Sequence, residues 1–272
     1  MRAPEPEPTD SAGYLDVDPQ AASGSGRAWW DANATEYLDE HGAFLGPADF
    51  VWCPEGLREA DAGLLGDVAG SRVLEIGAGA AQCSRWLAGR GVQVVATDVA
   101  EGMLRAGLAY DESTGVRTPV VAADARALPF PDATFDVAFT AYGAIPFVPD
   151  AERVHREAAR VLRPGGRWVF AVTHPVRWAF PDDPSERGLT ATRPYFDRRP
   201  YAELGASGAV LYAEYHRTIG DHVADVVGAG LVIDAIVEPE WPEGHDAVWG
   251  GWSPLRGALL PGTAIFVTHV PG

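Results

Sequence analysis

The sequence predicts an α/β protein built on a mostly parallel, doubly wound sheet, and three observations carry that prediction. Val73-Leu74-Glu75-Ile76 alternates in apolar character and runs into the glycine-broken turn Gly77-Ala78-Gly79, after which Cys83, Trp86 and Leu87 fall at i, i+3 and i+4. A strand therefore passes through a tight turn into a helix. Further apolar runs then alternate with helix-period segments as far as Val172, the rhythm of parallel strands joined by crossover helices. Acidic residues stand in or at the ends of the first three strands, as Glu75, Asp98 and Asp124, where a doubly wound sheet meets its ligand.

The elements follow in order. Residues 1–26 carry Pro4, Pro6, Pro8, Pro19 and the run Ser23-Gly24-Ser25-Gly26 without an apolar core, and read as a disordered tail, neither signal peptide nor membrane span. The folded domain is expected over 27–272. Trp30, Asn33, Ala34 and Tyr37 share one face of a first helix that Gly42 would end. Its two aromatics are either core anchors or a cover over a ligand. Ala48 to Glu55 is an irregular aromatic loop, and Leu57 to Leu65 a short helix. Strand two runs from Val92 to Thr97, and the helix from Ala100 to Tyr110 buries Met103, Leu104 and Leu108. Strand three is Pro119 to Ala123, and strand four Phe135 to Tyr142. Asp150 is placed to cap the helix that carries Val154, Ala158 and Val161. Pro164-Gly165-Gly166 reads as a turn before strand five, Trp168 to Val172.

The rhythm breaks at Pro175. Residues 175–216 form a long insertion rich in aromatics, among them Trp178, Tyr195, Tyr201, Tyr212 and Tyr215, and such a segment in a compact domain is expected to be a lid. Thr218 with Asp221 then forms a capping-box pattern for a helix to about Ala229. Leu231 to Val237 is strand six, and Thr263 to His269 is the seventh and last strand. The Trp-rich stretch from Trp241 to Trp252 is placed to close the pocket beside the insertion.

Composition removes several functions. With 21 basic and 38 acidic residues the formal charge is −17, which opposes binding to phosphate backbones, so nucleic acid is not expected as a partner. Every basic residue is Arg, because the chain contains no Lys, and lysine Schiff-base chemistry is excluded. Cys53 and Cys83 make no disulfide framework, which fits a cytoplasmic protein. No run of 18 apolar residues occurs, so no membrane partner is expected. The histidines are scattered without ligand spacing, and no metal is expected.

The glycine turn admits two ligand families. A dinucleotide site wants a third glycine where Gln82 stands, so the pyrophosphate fingerprint is broken. Segment by segment, the chain instead resembles the class I S-adenosylmethionine-dependent methyltransferases, in particular the broad type 11 small-molecule group. The segments are Val73 to Ala81, Val95 to Asp98, Ala123-Asp124-Ala125 with Leu128-Pro129-Phe130, Phe135-Asp136-Val137, Val161 to Gly166, and the N-terminal Trp30-Asp31-Ala32-Asn33-Ala34-Thr35-Glu36-Tyr37. The resemblance implies a Rossmann-like sheet whose seventh strand runs antiparallel between the fifth and sixth. It also implies S-adenosylmethionine as cofactor, with S-adenosylhomocysteine as product. Gly77, Ala78 and Gly79 would approach the methionine part with Glu75 and Gln82 beside them; Asp98 would hold the ribose hydroxyls, for which paired acceptors suit. Val99 and Met103 would flank the adenine, and Asp124 and Ala125 would meet its amino edge. Trp30 and Tyr37 join this cofactor set, and Tyr142 lies near the transferred methyl. The family's usual third glycine is Ala81 here.

Methyl transfer needs a base only when the acceptor must lose a proton. Three residues are candidates: His174 after strand five, Tyr142 and His216. His174 has an equally good structural reading before Pro175. The expected activity is methylation of a small organic acceptor, with an aromatic lid favouring a planar or apolar one. RNA or protein methylation and a non-catalytic cofactor-binding scaffold remain as alternatives, and a homodimer stays open.

Overall fold

In the computed structural model, which describes residues 8–272, the described strands are β1 (Thr9–Tyr14), β2 (Arg72–Ile76), β3 (Gln93–Asp98), β4 (Val120–Ala122), β5 (Phe135–Ala141), β6 (Leu162–Thr173), β7 (Tyr201–Gly205), β8 (Val210–Glu214), β9 (Val232–Val237) and β10 (Thr263–His269). The helices are α1 (Pro19–Leu45), α2 (Glu59–Ala62), α3 (Gln82–Ala88), α4 (Glu101–Thr114), α5 (Ala151–Val161), α6 (Ile219–Gly228) and α7 (Pro254–Gly257). Seven strands form one sheet in the order β4-β3-β2-β5-β6-β10-β9. The strands from β2 to β6 pair in parallel, and β10 runs antiparallel between β6 and β9, as expected. The strand order reverses at β2, so its carboxyl end opens the crevice in which such sheets bind ligands.

Successive residues of β2 feed opposite faces of the sheet. Leu74 and Ile76 join Phe170 and Phe266 under α5 and α6, through Val154, Ala158 and Val226. Val73 joins Phe139, Val169 and Ile265 beneath Phe50, Trp52 and Leu87. Both faces are covered, which is why the central strands read as nearly continuous apolar runs.

Several expectations change, among them the burial of Leu108, which is exposed. The segment read as a disordered tail is ordered from residue 8: β1 pairs antiparallel with β7, from Tyr14 opposite Tyr201 to Thr9 opposite Gly205, and α1 begins at Pro19; residues 1–7 of that tail lie outside the described residues. Backbone pairing with a strand nearly two hundred residues away leaves no apolar period in Thr9–Tyr14 to read. Gly42 does not end α1, which continues to Leu45. A Cβ on Gly42 would stand 3.0 Å from the Tyr110 hydroxyl, so that glycine admits α4, and the chain turns out of the helix at Gly46, with φ 69°.

Residues 175–216 are not an irregular lid. Two short 3-10 turns, Pro175–Ala179 and Glu186–Leu189, precede the β7–β8 hairpin, which with β1 makes a three-stranded sheet. That sheet braces the outer side of α1, with Tyr212 4.8 Å from Trp29 between ring centroids. Asp150 sits at the start of α5 without making a side-chain cap, because its carboxylate is taken by Arg126 and Arg153. The Thr218–Asp221 capping box does form, at 3.0 Å in both directions. Strand five begins earlier than expected: Pro164 to Gly166 lie within β6, whose register against β5 is irregular there.

Candidate functional site

The turn from β2 into α3 is shaped by three successive left-handed residues, Gly77 (φ 68°), Gly79 (φ 56°) and Ala81 (φ 58°). A Cβ on Gly77 would stand 2.7 Å from the Ala144 amide nitrogen and 2.8 Å from Gly143 Cα, so two backbones meet at the crossing of this turn with the loop after β5. On Gly79 it would reach 3.1 Å from Met103 Cε. Ala81 adopts a conformation that suits glycine, and it is buried.

Asp98, at the end of β3, ties this turn to the next. Its Oδ2 accepts the Gly79 amide at 2.7 Å and its Oδ1 accepts the Ala100 amide at 2.8 Å. The Val99 amide also bonds this carboxylate. Burial raises the carboxyl above its ordinary value against the pull of these amides. Glu75 is buried beneath the turn and accepts the Ser84 amide at 2.9 Å; burial pushes its carboxyl up to about 7, with the nearby Asp98 charge adding to the effect. For Asp124, burial acts upward but the Arg126 hydrogen bonds outweigh it and hold the carboxyl low.

Helix α1 forms the cover. Its Asp31 carboxylate accepts the Gly102 amide of α4 at 2.5 Å, and a Cβ on Gly102 would collide with the Asp31 backbone. Trp30 meets Tyr37 and Phe147 edge-on at 5.2 and 5.4 Å. The C-terminal part of α1 is held from the Trp-rich stretch, where Trp249 stacks on His41 at 3.8 Å.

Between turn, strand ends and cover lies a cavity of about 1180 Å³ including its open mouth. Every residue assigned to the cofactor from the sequence lines it: Trp30, Tyr37, Glu75, Gly77, Ala78, Gly79, Gln82, Asp98, Val99, Met103, Asp124, Ala125 and Tyr142. Reading by motif missed Arg27, Leu45, Asp49, Val51, Cys83, Arg126 and Phe147, which also line it. Most of these are brought in by the fold, and only the aromatic loop around Val51 carried a visible signal.

The three candidate bases separate. Tyr142, at φ 63°, is on the cavity. His174 and His216 are not among its lining residues. His174 accepts the Val176 amide on Nδ1 and pairs through Nε2 with Glu238 at 2.9 Å; burial lowers its pKa while Glu238 opposes that. It joins the end of β6 to the chain beyond β9. His216 is buried with Nε2 2.7 Å from the Tyr195 carbonyl and its ring 5.5 Å from Trp178. The aromatics of the insertion are likewise absent from the cavity wall. Among the described residues no group of three or more His, Cys, Asp or Glu could hold a metal, and no helix is long and apolar enough to cross a membrane.

Residues 74–170, which carry the turn, Asp98, Asp124 and Tyr142, match the family model of the methyltransferase domain. The chain carries a class I S-adenosylmethionine-dependent methyltransferase domain. This methyltransferase chain is 42% identical over 112 residues to the demethylmenaquinone methyltransferase of Mycolicibacterium paratuberculosis, covering 41% of this chain and 46% of that protein. The chain spans about half the length of the curated relatives it matches. Among solved structures, an S-adenosylmethionine-dependent methyltransferase from Mesorhizobium loti superposes with a TM-score of 0.60 at 25% identity, over 80% of this chain and all of that one. The 1,6-didemethyltoxoflavin-N1-methyltransferase of Burkholderia thailandensis has the same fold, at TM-score 0.60 and 18% identity over 96% of this chain and 95% of that one.

Proposed function

We propose that the protein transfers the methyl group of S-adenosylmethionine to a small organic acceptor by in-line displacement. The observation that carries this reading is the convergence of the glycine turn, the Asp98 and Asp124 carboxylates and the aromatic face of α1 on one cavity. The residues fit the cofactor. The turn is free of side chains where Gly77 and Gly79 stand, and the Asp98 carboxylate lines the cavity at the end of β3, where vicinal ribose hydroxyls would meet it. Val99 and Met103 offer apolar surface for a purine, and Asp124 with Ala125 lies at its edge. The bound cofactor would supply a methyl group on a positively charged sulfur.

What the chain itself does is hold and exclude. Proximity and alignment supply much of the acceleration in such a displacement, and neither a metal nor a lysine is asked for. Tyr142 is the proposed catalytic group, since it alone of the three candidates lines the cavity. Trp30, Tyr37, Leu45, Val51, Tyr142 and Phe147 are among the residues lining the cavity, and this aromatic and apolar surface supports a planar or apolar acceptor although the insertion does not reach it. The similarity to demethylmenaquinone methyltransferases over 112 residues supports a small-molecule acceptor of this kind. The charge of −17 argues against nucleic acid, and two unpaired cysteines agree with a cytoplasmic setting.

The test is calorimetric binding of S-adenosylhomocysteine, followed by S-adenosylhomocysteine release with a panel of quinols, phenols and nitrogen heterocycles. Turnover of a panel member is expected. Label from the cofactor entering total RNA or protein instead would replace the small-molecule reading, and binding without release from any acceptor would leave a scaffold.

A further inference from the structure

A second and smaller cavity, with a volume of about 230 Å³, is walled by Glu55, Arg177, Trp252 and Arg256, and Trp252 meets the Tyr142 ring edge-on at 5.8 Å between centroids. Glu55 is 2% exposed. Its Oε2 accepts the Thr263 hydroxyl at 2.7 Å, and Thr263 Oγ1 is in turn hydrogen-bonded to the Tyr142 hydroxyl. Thr263 has one proton, already given to Glu55, so Tyr142 is the donor of the second bond. The chain Tyr142, Thr263, Glu55 therefore runs in one direction, from a residue lining the cofactor cavity to a buried carboxylate. Glu55 Oε1 has no hydrogen-bond partner, and its residue lines the second cavity. A buried carboxylate oxygen without a donor is costly, and a fold that keeps one gives it something to do.

We propose that Glu55 and Thr263 are positioning residues that turn Tyr142 into a proton acceptor for the methylated substrate, with Glu55 as the terminal store of the proton. This rests on the methyltransferase reading above. An acceptor O–H or N–H loses its proton to Tyr142 Oη, the Tyr142 proton passes to Thr263 Oγ1, and the Thr263 proton passes to Glu55 Oε2. The acceptor heteroatom forms its bond to the methyl carbon as the carbon–sulfur bond breaks, and that electron pair stays on sulfur. One positive charge on sulfur and one negative charge on Glu55 disappear together, leaving a neutral thioether and a neutral carboxylic acid. A free phenolate is never needed. In a site of low polarity, removing two opposite charges in one step favours the forward direction. Once the products leave, the stored proton returns from Oε2 along the same hydrogen bonds to Tyr142 and the cofactor cavity, and Glu55 is again a carboxylate.

The groups facing Glu55 agree with a carboxylate able to take a proton. Burial raises its pKa, while the Thr263 hydrogen bond and the Arg177 charge lower it; Cys53, Tyr142, Arg256 and His245, whose Nε2 lies 2.8 Å from the Pro54 carbonyl, are other titratable groups around it. Tyr142 itself is pushed well up by burial, so as an isolated phenol it would be a poor base.

The experiment compares wild type, Glu55→Gln, Thr263→Val and Thr263→Ser with an acceptor turned over in the panel above. Glu55→Gln and Thr263→Val should lower kcat by about a hundredfold, with S-adenosylhomocysteine affinity within about twofold of wild type. The acid limb of the kcat profile should vanish in Glu55→Gln and return in Thr263→Ser. Infrared difference spectra of the S-adenosylhomocysteine complex, recorded across pH without any acceptor, should show a protonated-carboxyl band that is absent in Glu55→Gln and titrates at higher pH in Thr263→Val. Wild-type kcat and profile in Thr263→Val would overturn the relay and leave the methyltransferase reading standing. Failure of every panel acceptor would count against that reading, and the infrared result still decides the relay: a carboxyl band indifferent to Thr263→Val overturns it.

Discussion

The Asp31 carboxylate on α1 caps α4 from outside, accepting the Gly102 amide at 2.5 Å. Helix α4 starts at Glu101 behind Ala100, which has no capping side chain, so one of its unpaired first-turn amides is satisfied by the helix that roofs the cavity. The cover and α4 are thereby joined by this hydrogen bond and by the Arg27–Glu101 pair beside it.

Replacing Asp31 with Ala removes that cap. A lost N-terminal cap costs on the order of 1 kcal/mol, here spent on seating the cover, so S-adenosylhomocysteine affinity should fall about fivefold. Calorimetry checks this, and an unchanged Kd would show that α1 is held by its aromatic contacts alone.

Asp98→Ala takes away both the clamp on the Gly79 amide and the two acceptors aimed at the cavity. Cofactor affinity should drop by about two orders of magnitude, as for loss of paired hydrogen bonds to a charged group. Asp98→Asn keeps one acceptor and should lie between. Equal binding by wild type and Asp98→Ala would remove Asp98 from the ribose site.

Ala81→Gly should stabilise the protein. An alanine held at φ 58° carries a left-handed strain of about 1 kcal/mol, partly offset by the greater freedom of glycine when unfolded, so a rise in Tm of about 1–2 °C is expected. A fall in Tm would mean that the Ala81 methyl group contributes more in packing than its backbone loses.

Glu75 predicts a pH dependence. Its folded pKa of about 7 lies above the ordinary 4.5, so the native state binds the proton more tightly than the unfolded chain. Stability is therefore highest at the acid side of this window and falls as pH rises from about 4.5 to about 7, by up to ~3 kcal/mol from this group. Glu75→Gln, neutral throughout, should flatten that slope in denaturant titrations at pH 5 and pH 8. An unchanged slope would show that Glu75 is ionised throughout.

Gly77→Ala meets backbone on its far side, at Ala144 and Gly143, and no side chain can move to relieve the contact. The turn must shift, and with it the cavity floor; cofactor binding should be lost, read by the absence of thermal stabilisation with S-adenosylhomocysteine. Retained stabilisation would show the two loops to be separable.

The alternation of the central strands with helices was legible because it rests on local patterns, whereas the antiparallel last strand and the residues placed on the cavity wall came from the family resemblance, and the strand order from the structure. Apolar runs ending in Asp98 and Asp124 mark parallel strands, and the broken glycine turn marks the cavity floor. Thr9–Tyr14 was not legible as a strand, since its partner lies in 201–205 and backbone hydrogen bonds are indifferent to side-chain pattern. Gly42 was read as a helix end because composition cannot distinguish a glycine that stops a helix from one that lets Tyr110 approach it.

By itself the sequence determined the strands of the central sheet and the glycine turn, because strand periods and glycines act over a few residues, and its resemblance to a family supplied the expected ligand. Only the tertiary structure decided which candidate base meets the cavity. His174 and His216 are spent on Glu238 and the Tyr195 carbonyl, while Tyr142 is joined through Thr263 to Glu55. Those partners are separated by tens to hundreds of residues, and a hydrogen bond is settled by where the folded backbone brings its two ends.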